Sequence, residues 1–238
     1  MAKVWWAYLA ERSIPQEGAS ALVTLGMRAG YLGFTRITLG YARTDFARNM
    51  ITQKFLTEAT DPQDALIMLD CDHLHPVETF EKLLSHEHAG VVGALAFMRG
   101  APYNACAFVR AADGGLHPLA EWDGSLMPCD CIGHAALLVR RWVFEALEQQ
   151  GTPFPYWRYT YTDGDASMPS EDMYFGRICE RAGIPQFVDT SLIAPHLFTG
   201  FVDAETFYAY RADHPALQDN LTVERTIQLP SMVSRVDL

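Results

Sequence analysis

The sequence predicts an α/β protein with a mostly parallel central sheet, helices on its flanks and a short antiparallel extension. In residues 1–100, apolar segments of strand length alternate with segments of helical periodicity, which is typical of a parallel sheet. After Arg99, shorter apolar segments are separated by Asp-Gly pairs, which is typical of hairpins. The chain has 238 residues, 49% of them hydrophobic, so we expect one domain with a substantial core.

Four strands are expected in the N-terminal part of the chain. Residues 3–9 are rich in aromatic and branched side chains, which favour strands. Residues 64–69 read DALIML, the continuous apolar character of a strand that is buried on both faces. The other two strands are expected at residues 36–39 and 90–97.

Three helices are expected between these strands. The first covers residues 18–28. The second begins where Thr44 or Asp45 can cap a helix, and its apolar side chains are Phe46, Met50, Ile51 and Phe55. The third has Pro76 in its first turn, where proline is tolerated, and its apolar stripe consists of Val77, Phe80, Leu83 and Leu84.

The second half of the chain begins with shorter strands. They are expected at residues 105–110, 115–122 and 131–139, with Asp-Gly turns at 113–114 and 123–124. A helix over residues 141–149 and an aromatic loop over 152–169 follow. Ser170 can cap a helix that ends near Arg181, because Gly183 and Pro185 are stop signals. A last strand is expected at 186–193, and residues 204–211 have a weak helical signal.

Composition limits the classes of function. The formal net charge of −11 argues against a broad basic surface for nucleic acid, although a local basic groove is compatible with it. The five cysteines are an odd, dispersed set, which favours reduced thiols. Cys129 and Cys131 form a C-x-C pair, but no second pair at zinc-ribbon spacing accompanies it. Without a signal peptide or an apolar run of roughly 20 residues, we expect a cytoplasmic protein and no membrane contact.

The Asp70-Cys71-Asp72 triplet is the first candidate site. Because side chains alternate along a strand, Asp70 and Asp72 are expected to project to the same side where the DALIML strand ends. Two carboxylates suit Mg²⁺ or Mn²⁺, which complete their coordination with phosphate oxygens and water. Such a triplet also occurs in loops that bind no metal. His73 could reach the metal, but we favour a surface or helix-entry position for it and for His75.

The order and spacing of five segments resemble the GT-A glycosyltransferases. In particular they resemble small family-two-like enzymes that are met in phages and prophages, and the resemblance covers residues 3 to about 200. The segments are TDFARNM (44–50), ALIMLDCDHLHP (65–76), CDCIGHAALLVRRWVFEAL (129–147), PSEDMYFGRICERAGI (169–184) and VDTSLIAPHLFTG (188–200).

The resemblance implies a set of binding residues. Asp70 and Asp72 match the D-x-D motif that holds the metal, with Cys71 between them at the nucleotide. His196 matches a third ligand, although the sequence alone would make it an ordinary loop histidine. The loop Ala10-Glu11-Arg12 corresponds to the part of the fold that holds the base. Arg48 and Asn49 correspond to a pair near the nucleotide, whereas a solvated helix position is the alternative for Arg48.

The Glu171-Asp172 pair matches the acidic motif that supplies the general base in inverting members of the family. A carboxylate in the first turn of a helix is held ionised by the helix dipole, ready to accept a proton. Helix capping explains the same residues without catalysis. We prefer the base interpretation and, within it, Asp172 over Glu171.

The resemblance implies a metal-dependent transferase that moves a sugar from a nucleotide-sugar, with a UDP-sugar as the expected donor and Mn²⁺ or Mg²⁺ as cofactor. Residues 1–100 would bind the nucleotide, 101–200 the acceptor, and 201–238 would be a tail. The acceptor would be a hydroxymethylated base in phage DNA, a glycan or a protein, under the aromatic loop 154–161, for which ordinary packing is the alternative.

Other features of the sequence limit which kind of transferase is expected. A Q-x-x-R-W motif and membrane helices are missing, which argues against a processive membrane synthase. A phage-encoded enzyme would work in the host cytoplasm. The alternatives are a nucleotidyltransferase or phosphohydrolase, which also use paired aspartates, and a non-catalytic nucleotide-sugar-binding module. The sequence carries no indication of the oligomeric state.

Overall fold

The computed structural model describes residues 2–9, 14–160, 170–198 and 201–215. The helices are α1 (Gln16–Tyr31), α2 (Thr44–Glu58), α3 (Thr79–Ser85), α4 (Arg141–Gln149), α5 (Glu171–Arg181) and α6 (Ala204–Asp213). The strands are β1 (Val4–Leu9), β2 (Thr35–Arg36), β3 (Ala65–Asp70), β4 (Val91–Leu95), β5 (Ala107–Arg110), β6 (Leu116–Pro118), β7 (Leu126–Cys129), β8 (Cys131–Ile132), β9 (Ala136–Arg140), β10 (Gln186–Ile193), β11 (His196–Leu197) and β12 (Phe201–Val202).

A seven-stranded sheet in the order β2-β1-β3-β9-β4-β10-β7 forms the centre of the protein. Strands β1, β2, β3, β4 and β10 run in one direction, whereas β9 and β7 are antiparallel to their neighbours. The predicted mostly parallel sheet is thereby confirmed. Strand β9, which lies between β3 and β4, is the exception in its interior.

Helices cover both faces of this sheet. Successive residues of β3 alternate between two apolar clusters: Leu66 faces one and Ile67 the other. The first cluster also contains side chains of α2, α4 and α5, and the second contains side chains of α1 and α3. Strand β3 is therefore buried on both faces, as its continuous apolar sequence predicted.

The antiparallel extension is a small sheet in the order β6-β5-β8. Gly114 and Gly124 have φ values of 83° and 82°, so both Asp-Gly pairs adopt the left-handed turn conformation that glycine permits. The predicted strand over 131–139 is divided in the structure. Its first part, β8, pairs with β5, while its second part, β9, enters the central sheet. The predicted strand over 115–122 is shortened to β6.

Some element boundaries differ from the predicted ones. Helix α2 has Arg43 at its N-cap, and Asp45 pairs with Arg43 at 2.6 Å instead of capping the helix. Pro76 lies in a turn before α3 and not in its first turn. Its carbonyl accepts the hydroxyl of Thr79 at 2.6 Å. Ser170 is the N-cap residue of α5, but its hydroxyl contacts the Asp172 carboxylate.

Within the described ranges, no helix combines the length and the apolar character that crossing a bilayer would require.

Candidate active site

The candidate site lies where the carboxyl ends of β3 and β10 approach each other. Both strands run in the same direction, and open α/β sheets bind ligands at this edge. The chain leaving β3 is fastened to the chain leaving β10 by two backbone hydrogen bonds. Leu74 donates to the carbonyl of Pro195 at 2.8 Å, and Leu197 donates to that of Asp72 at 2.7 Å. Residues more than a hundred positions apart thereby become neighbours.

Asp72, His73 and His196 form a group that could hold a metal ion, with one ligand atom from each lying within 4.8 Å of the others. The Nδ1 atom of His196 lies 2.9 Å from the carbonyl oxygen of Phe97. Because a carbonyl only accepts, Nδ1 carries the proton and the lone pair is on Nε2, which lies 3.3 Å from Asp72 Oδ2. This is the tautomer that metal-binding histidines adopt. A carboxylate and an imidazole fit a divalent transition metal such as Mn²⁺.

His73 is buried, so the expected surface position was wrong. Its Nδ1 lies 2.8 Å from Asp72 Oδ1, and its ring stacks on that of His196 with centroids 4.0 Å apart. Burial, with the charges of His196 and Arg48, holds the pKa of His73 well below its usual value. His73 is therefore neutral and can orient the Asp72 carboxylate through its N–H.

His75 is buried as well, contrary to the same expectation. Its Nε2 lies 2.7 Å from the backbone carbonyl of Asp70, which can only accept, so this nitrogen donates. Burial lowers the pKa of His75 to about 4. The residue fastens the turn after β3 as a neutral side chain.

Arg99 contacts two of the three expected ligands, Asp72 and His196. Its Nε lies 2.6 Å from Nε2 of His196, and its Nη2 contacts Asp72 Oδ2. Arg99 was not predicted as a site residue from the sequence. The available signal was its position just after β4, at the same edge of the sheet.

Asp70 belongs to a second group centred on Arg48. The Arg48 side chain is 1% exposed, and its Nη2 lies 2.7 Å from Asp70 Oδ1 while its Nε lies 3.4 Å from Glu171 Oε1. Strand β3 ends at Asp70, so the strand alternation on which the expected shared side of Asp70 and Asp72 rested does not continue to Asp72. Asp70 is therefore outside the group formed by Asp72 and the histidines. Burial raises the pKa of Asp70 to about 7, against the effect of Arg48.

The burial of Arg48 excludes the alternative of a solvated helix residue. Burial acts to lower its pKa, but the carboxylates of Asp70, Glu171 and Asp172 prevail and raise it. The guanidinium is thus a permanent buried cation that connects α2 with the ends of β3 and α5.

The two acidic residues of α5 differ in surroundings. Glu171 is buried against Arg48. Asp172 is partly exposed, and its Oδ1 accepts the backbone N–H of Met173 at 2.7 Å and the hydroxyl of Ser170. Burial and the charge of Glu171 raise the pKa of Asp172. A partly exposed carboxylate with a raised pKa suits proton transfer better than one held by a buried arginine does.

Asn49 and Cys71, two of the expected nucleotide contacts, are buried. The amide of Asn49 is occupied, since its Nδ2 donates to the carbonyl of Trp157 at 2.7 Å and its Oδ1 accepts the N–H of Tyr156 at 2.9 Å. Cys71 is 1% exposed. Ala10, Glu11 and Arg12 lie outside the described residues.

Part of the aromatic loop is packed in the interior of the protein, and its last residue lies outside the described part of the chain. Tyr156 and Trp157 are buried, which matches ordinary packing for these two residues. The ring of Trp157 stacks on Phe175 of α5 with centroids 4.6 Å apart. Tyr161 lies outside the described residues, so the lid interpretation stays a prediction for the rest of the loop.

Comparisons with known proteins support the fold. No protein-family profile and no curated protein match the sequence at a significant level. Among solved structures, A197 from STIV matches with a TM-score of 0.51 and 15% identity over 82% of this chain and 86% of that chain. GalNAc-T7, solved with UDP, GalNAc and Mn²⁺, matches with a TM-score of 0.53 and 8% identity over 89% of this chain and 48% of that one. The chain thus spans about half the length of GalNAc-T7, a GT-A glycosyltransferase, and it has a GT-A-like fold.

Proposed function

We propose that this chain is a metal-dependent glycosyltransferase that transfers a sugar from a UDP-sugar to a hydroxyl acceptor. The supporting observation is the meeting of Asp72 and His196, from opposite halves of the chain, with Nε2 of His196 presented as a ligand. The GT-A-like fold supports the donor class, since GalNAc-T7 was solved with UDP, GalNAc and Mn²⁺. Mn²⁺ or Mg²⁺ is the proposed cofactor.

In the proposed mechanism, Asp72 and His196 would hold the cation, and His73 fixes the orientation of Asp72. The bound cation would supply Lewis-acid stabilisation of the departing diphosphate. Asp172 accepts the proton of the acceptor hydroxyl as that oxygen attacks the anomeric carbon. Such a displacement inverts the anomeric configuration, so a product with retained configuration would contradict the assignment of Asp172 as base.

The proposed division of labour follows the chain. Residues 1–100 bind the nucleotide, with Arg48 and Asp70 on the donor side and Ala10, Glu11 and Arg12 at the base. Residues 101–200 bind the acceptor, and 201–238 form the tail of one domain. Asn49 is left out of the donor site because its amide is occupied by Tyr156 and Trp157. Cys71 is left out because it is buried.

The acceptor is proposed to be a hydroxyl on a glycan, on a protein or on a hydroxymethylated DNA base. The formal charge of −11 disfavours DNA unless a local groove binds it. Measuring acceptor binding at rising salt separates these classes. Binding to DNA would weaken steeply, whereas binding to a neutral glycan would not.

The test of the function is a set of binding and turnover measurements with UDP-sugars, with and without Mn²⁺. We expect Mn²⁺-dependent binding of UDP and release of UDP from one donor when an acceptor is present. Asp72→Ala should abolish transfer while circular dichroism shows an intact fold, whereas Asp113→Ala in an exposed turn should keep it. Full activity of Asp72→Ala would refute the assignment. Release of pyrophosphate from a nucleoside triphosphate would indicate a nucleotidyltransferase, and Mn²⁺-dependent binding without turnover a binding module.

A further inference from the structure

Arg99 lies against Asp72 and His196, two metal ligands of the proposed site. Its Nε lies 2.6 Å from Nε2 of His196, and its Nη2 contacts Asp72 Oδ2. These are the atoms that would face a cation, because the other ring nitrogen of His196 is committed to the carbonyl of Phe97 at 2.9 Å. The guanidinium thus supplies the positive charge at the site.

A metal ion and Arg99 cannot both use His196. In the tautomer that the carbonyl of Phe97 selects, Nε2 has a single lone pair, which either accepts the N–H of Arg99 or coordinates a metal. Asp72 presents a similar choice, although a carboxylate has more than one acceptor position. Binding of a cation to His196 therefore requires Arg99 to leave.

The surroundings of Arg99 allow it to leave. The residue lies in the loop after β4, outside the helices and strands, and its side chain is 42% exposed. Arg48, in contrast, is 1% exposed and is held by acceptors from three parts of the chain. Because solvent reaches the Arg99 side of this ion pair, the pair contributes little to stability and its release has a small cost.

We propose that Arg99 competes with the divalent cation for Asp72 and His196 and, once displaced, binds the diphosphate of the nucleotide. The second step rests on the proposed function, whereas the competition does not. A displaced guanidinium stays on the loop between β4 and β5, beside the site, and guanidinium groups pair with phosphate oxygens in two-point contacts. Nucleotide would then draw Arg99 off the ligands and strengthen metal binding, and linkage makes this coupling reciprocal.

The competition is tested by titrating the protein with Mn²⁺ alone in a calorimeter. Arg99→Gln should bind Mn²⁺ about five- to tenfold more tightly than the wild type, because an exposed ion pair and a hydrogen bond no longer oppose binding. Arg99→Lys should lie between the two, since it keeps the charge but loses the planar fork. Arg28→Gln is the matched control, because Arg28 is similarly exposed at 38% and pairs with Glu81 away from the site. Its Mn²⁺ affinity should equal that of the wild type.

A repeat of the titration in the presence of UDP tests the second step. UDP should increase the Mn²⁺ affinity of the wild type more than that of Arg99→Gln. An Arg99→Gln protein that melts normally but binds Mn²⁺ no more tightly than the wild type overturns the competition, and so does a lack of Mn²⁺ binding by both proteins. If Arg99→Gln tightens Mn²⁺ binding but UDP has no effect on any variant, the competition stands and the proposed function fails.

Discussion

At the scale of single residues, the triplet after β3 shows how the partner of a carboxylate determines its role. Asp70 meets the buried guanidinium of Arg48, whereas Asp72 meets the two histidines. Both are aspartates at the same sheet edge, yet only Asp72 lies in the group that could hold a metal. In place of the predicted set Asp70, Asp72 and His196, the structure groups Asp72 with His73 and His196.

Mn²⁺ affinity shows whether the metal binds at Asp72 and the histidines or between Asp70 and Asp72. His73→Gln should weaken Mn²⁺ binding about tenfold or more, because residues that orient or complete a metal site typically contribute that much. Asp70→Asn should have a smaller effect, since the charge of Asp70 is already paired with Arg48. Calorimetric titration of both variants decides the question. A larger loss in Asp70→Asn than in His73→Gln would restore the D-x-D interpretation.

The pair on α5 makes a prediction for the pH profile. The charge of Glu171 raises the pKa of Asp172, and the proposed base must be ionised to accept a proton. Removing that charge in Glu171→Gln lowers the pKa of Asp172, so the acidic limb of kcat/KM should move to lower pH. Glu180→Gln, near the other end of the helix and paired with Arg110, should leave the limb unchanged. A limb that stays in place or moves to higher pH in Glu171→Gln argues against Asp172 as the base.

Some residues of the candidate site were predicted from the sequence and others were not. Asp72, His196 and Asp172 were predicted from the resemblance to the GT-A enzymes, because each stands in a segment that matches after a strand or at a helix start. The burial of His73 and the contact of Arg99 with His196 depend on which loops the sheet brings together. These contacts join residues about a hundred positions apart, and no local pattern encodes them.

At the scale of elements, the alternation of strands and helices up to β4 was predicted, because parallel strands leave a strong apolar signal. The sequence did not indicate that residues 131–139 divide into β8 and β9. A cause is visible at Gly133, whose N–H donates to the carbonyl of Cys106 and where a Cβ would lie 2.7 Å from that of Cys106. Apolar character also leaves strand direction open, so the antiparallel placement of β9 was not predictable.

Helix α5 carries the acidic pair, and a glycine sets its distance from β8. A Cβ at Gly176 would lie 3.0 Å from Cβ and 3.2 Å from Cα of Cys131. Gly176→Ala must therefore shift the helix or the strand, at a cost of about 1–3 kcal/mol typical of overpacking. Urea denaturation should show this loss, and activity should fall because Asp172 moves with the helix.

Gly30→Ala in α1 is the matched control for this substitution. Nothing lies within 4 Å of a Cβ at Gly30, so the change should stabilise the protein by about 0.5–1 kcal/mol through helix propensity alone. If both alanine variants gain stability, the close contact between α5 and β8 is not what holds the helix in place.

At the scale of the whole molecule, two apolar clusters on either side of the sheet support a polar edge. Arg48 connects the parts of that edge, because it reaches from α2 to Asp70 at the end of β3 and to Glu171 at the start of α5. One side chain thereby joins the half of the chain proposed for the donor to the half proposed for the acceptor.

Replacing Arg48 should therefore destabilise the entire molecule. Arg48→Met leaves two carboxylates at the protein interior without their cation, and breaking a buried ion pair on one side costs about 3–5 kcal/mol. Arg177→Met, an exposed arginine of α5, should change the free energy of unfolding by less than about 0.5 kcal/mol. Urea denaturation measures both.

A compensated variant separates lost charge balance from lost packing. Arg48→Met combined with Asp70→Asn and Glu171→Gln removes the cation and both carboxylate charges together, so most of the lost stability should return. If this variant stays as unstable as Arg48→Met, packing of the long Arg48 side chain is what stabilises the edge. If Arg48→Met alone unfolds like the wild type, Arg48 does not join the two halves. Loss of transfer in the compensated variant despite recovered stability would assign these charges to the proposed reaction, because the fold no longer needs them.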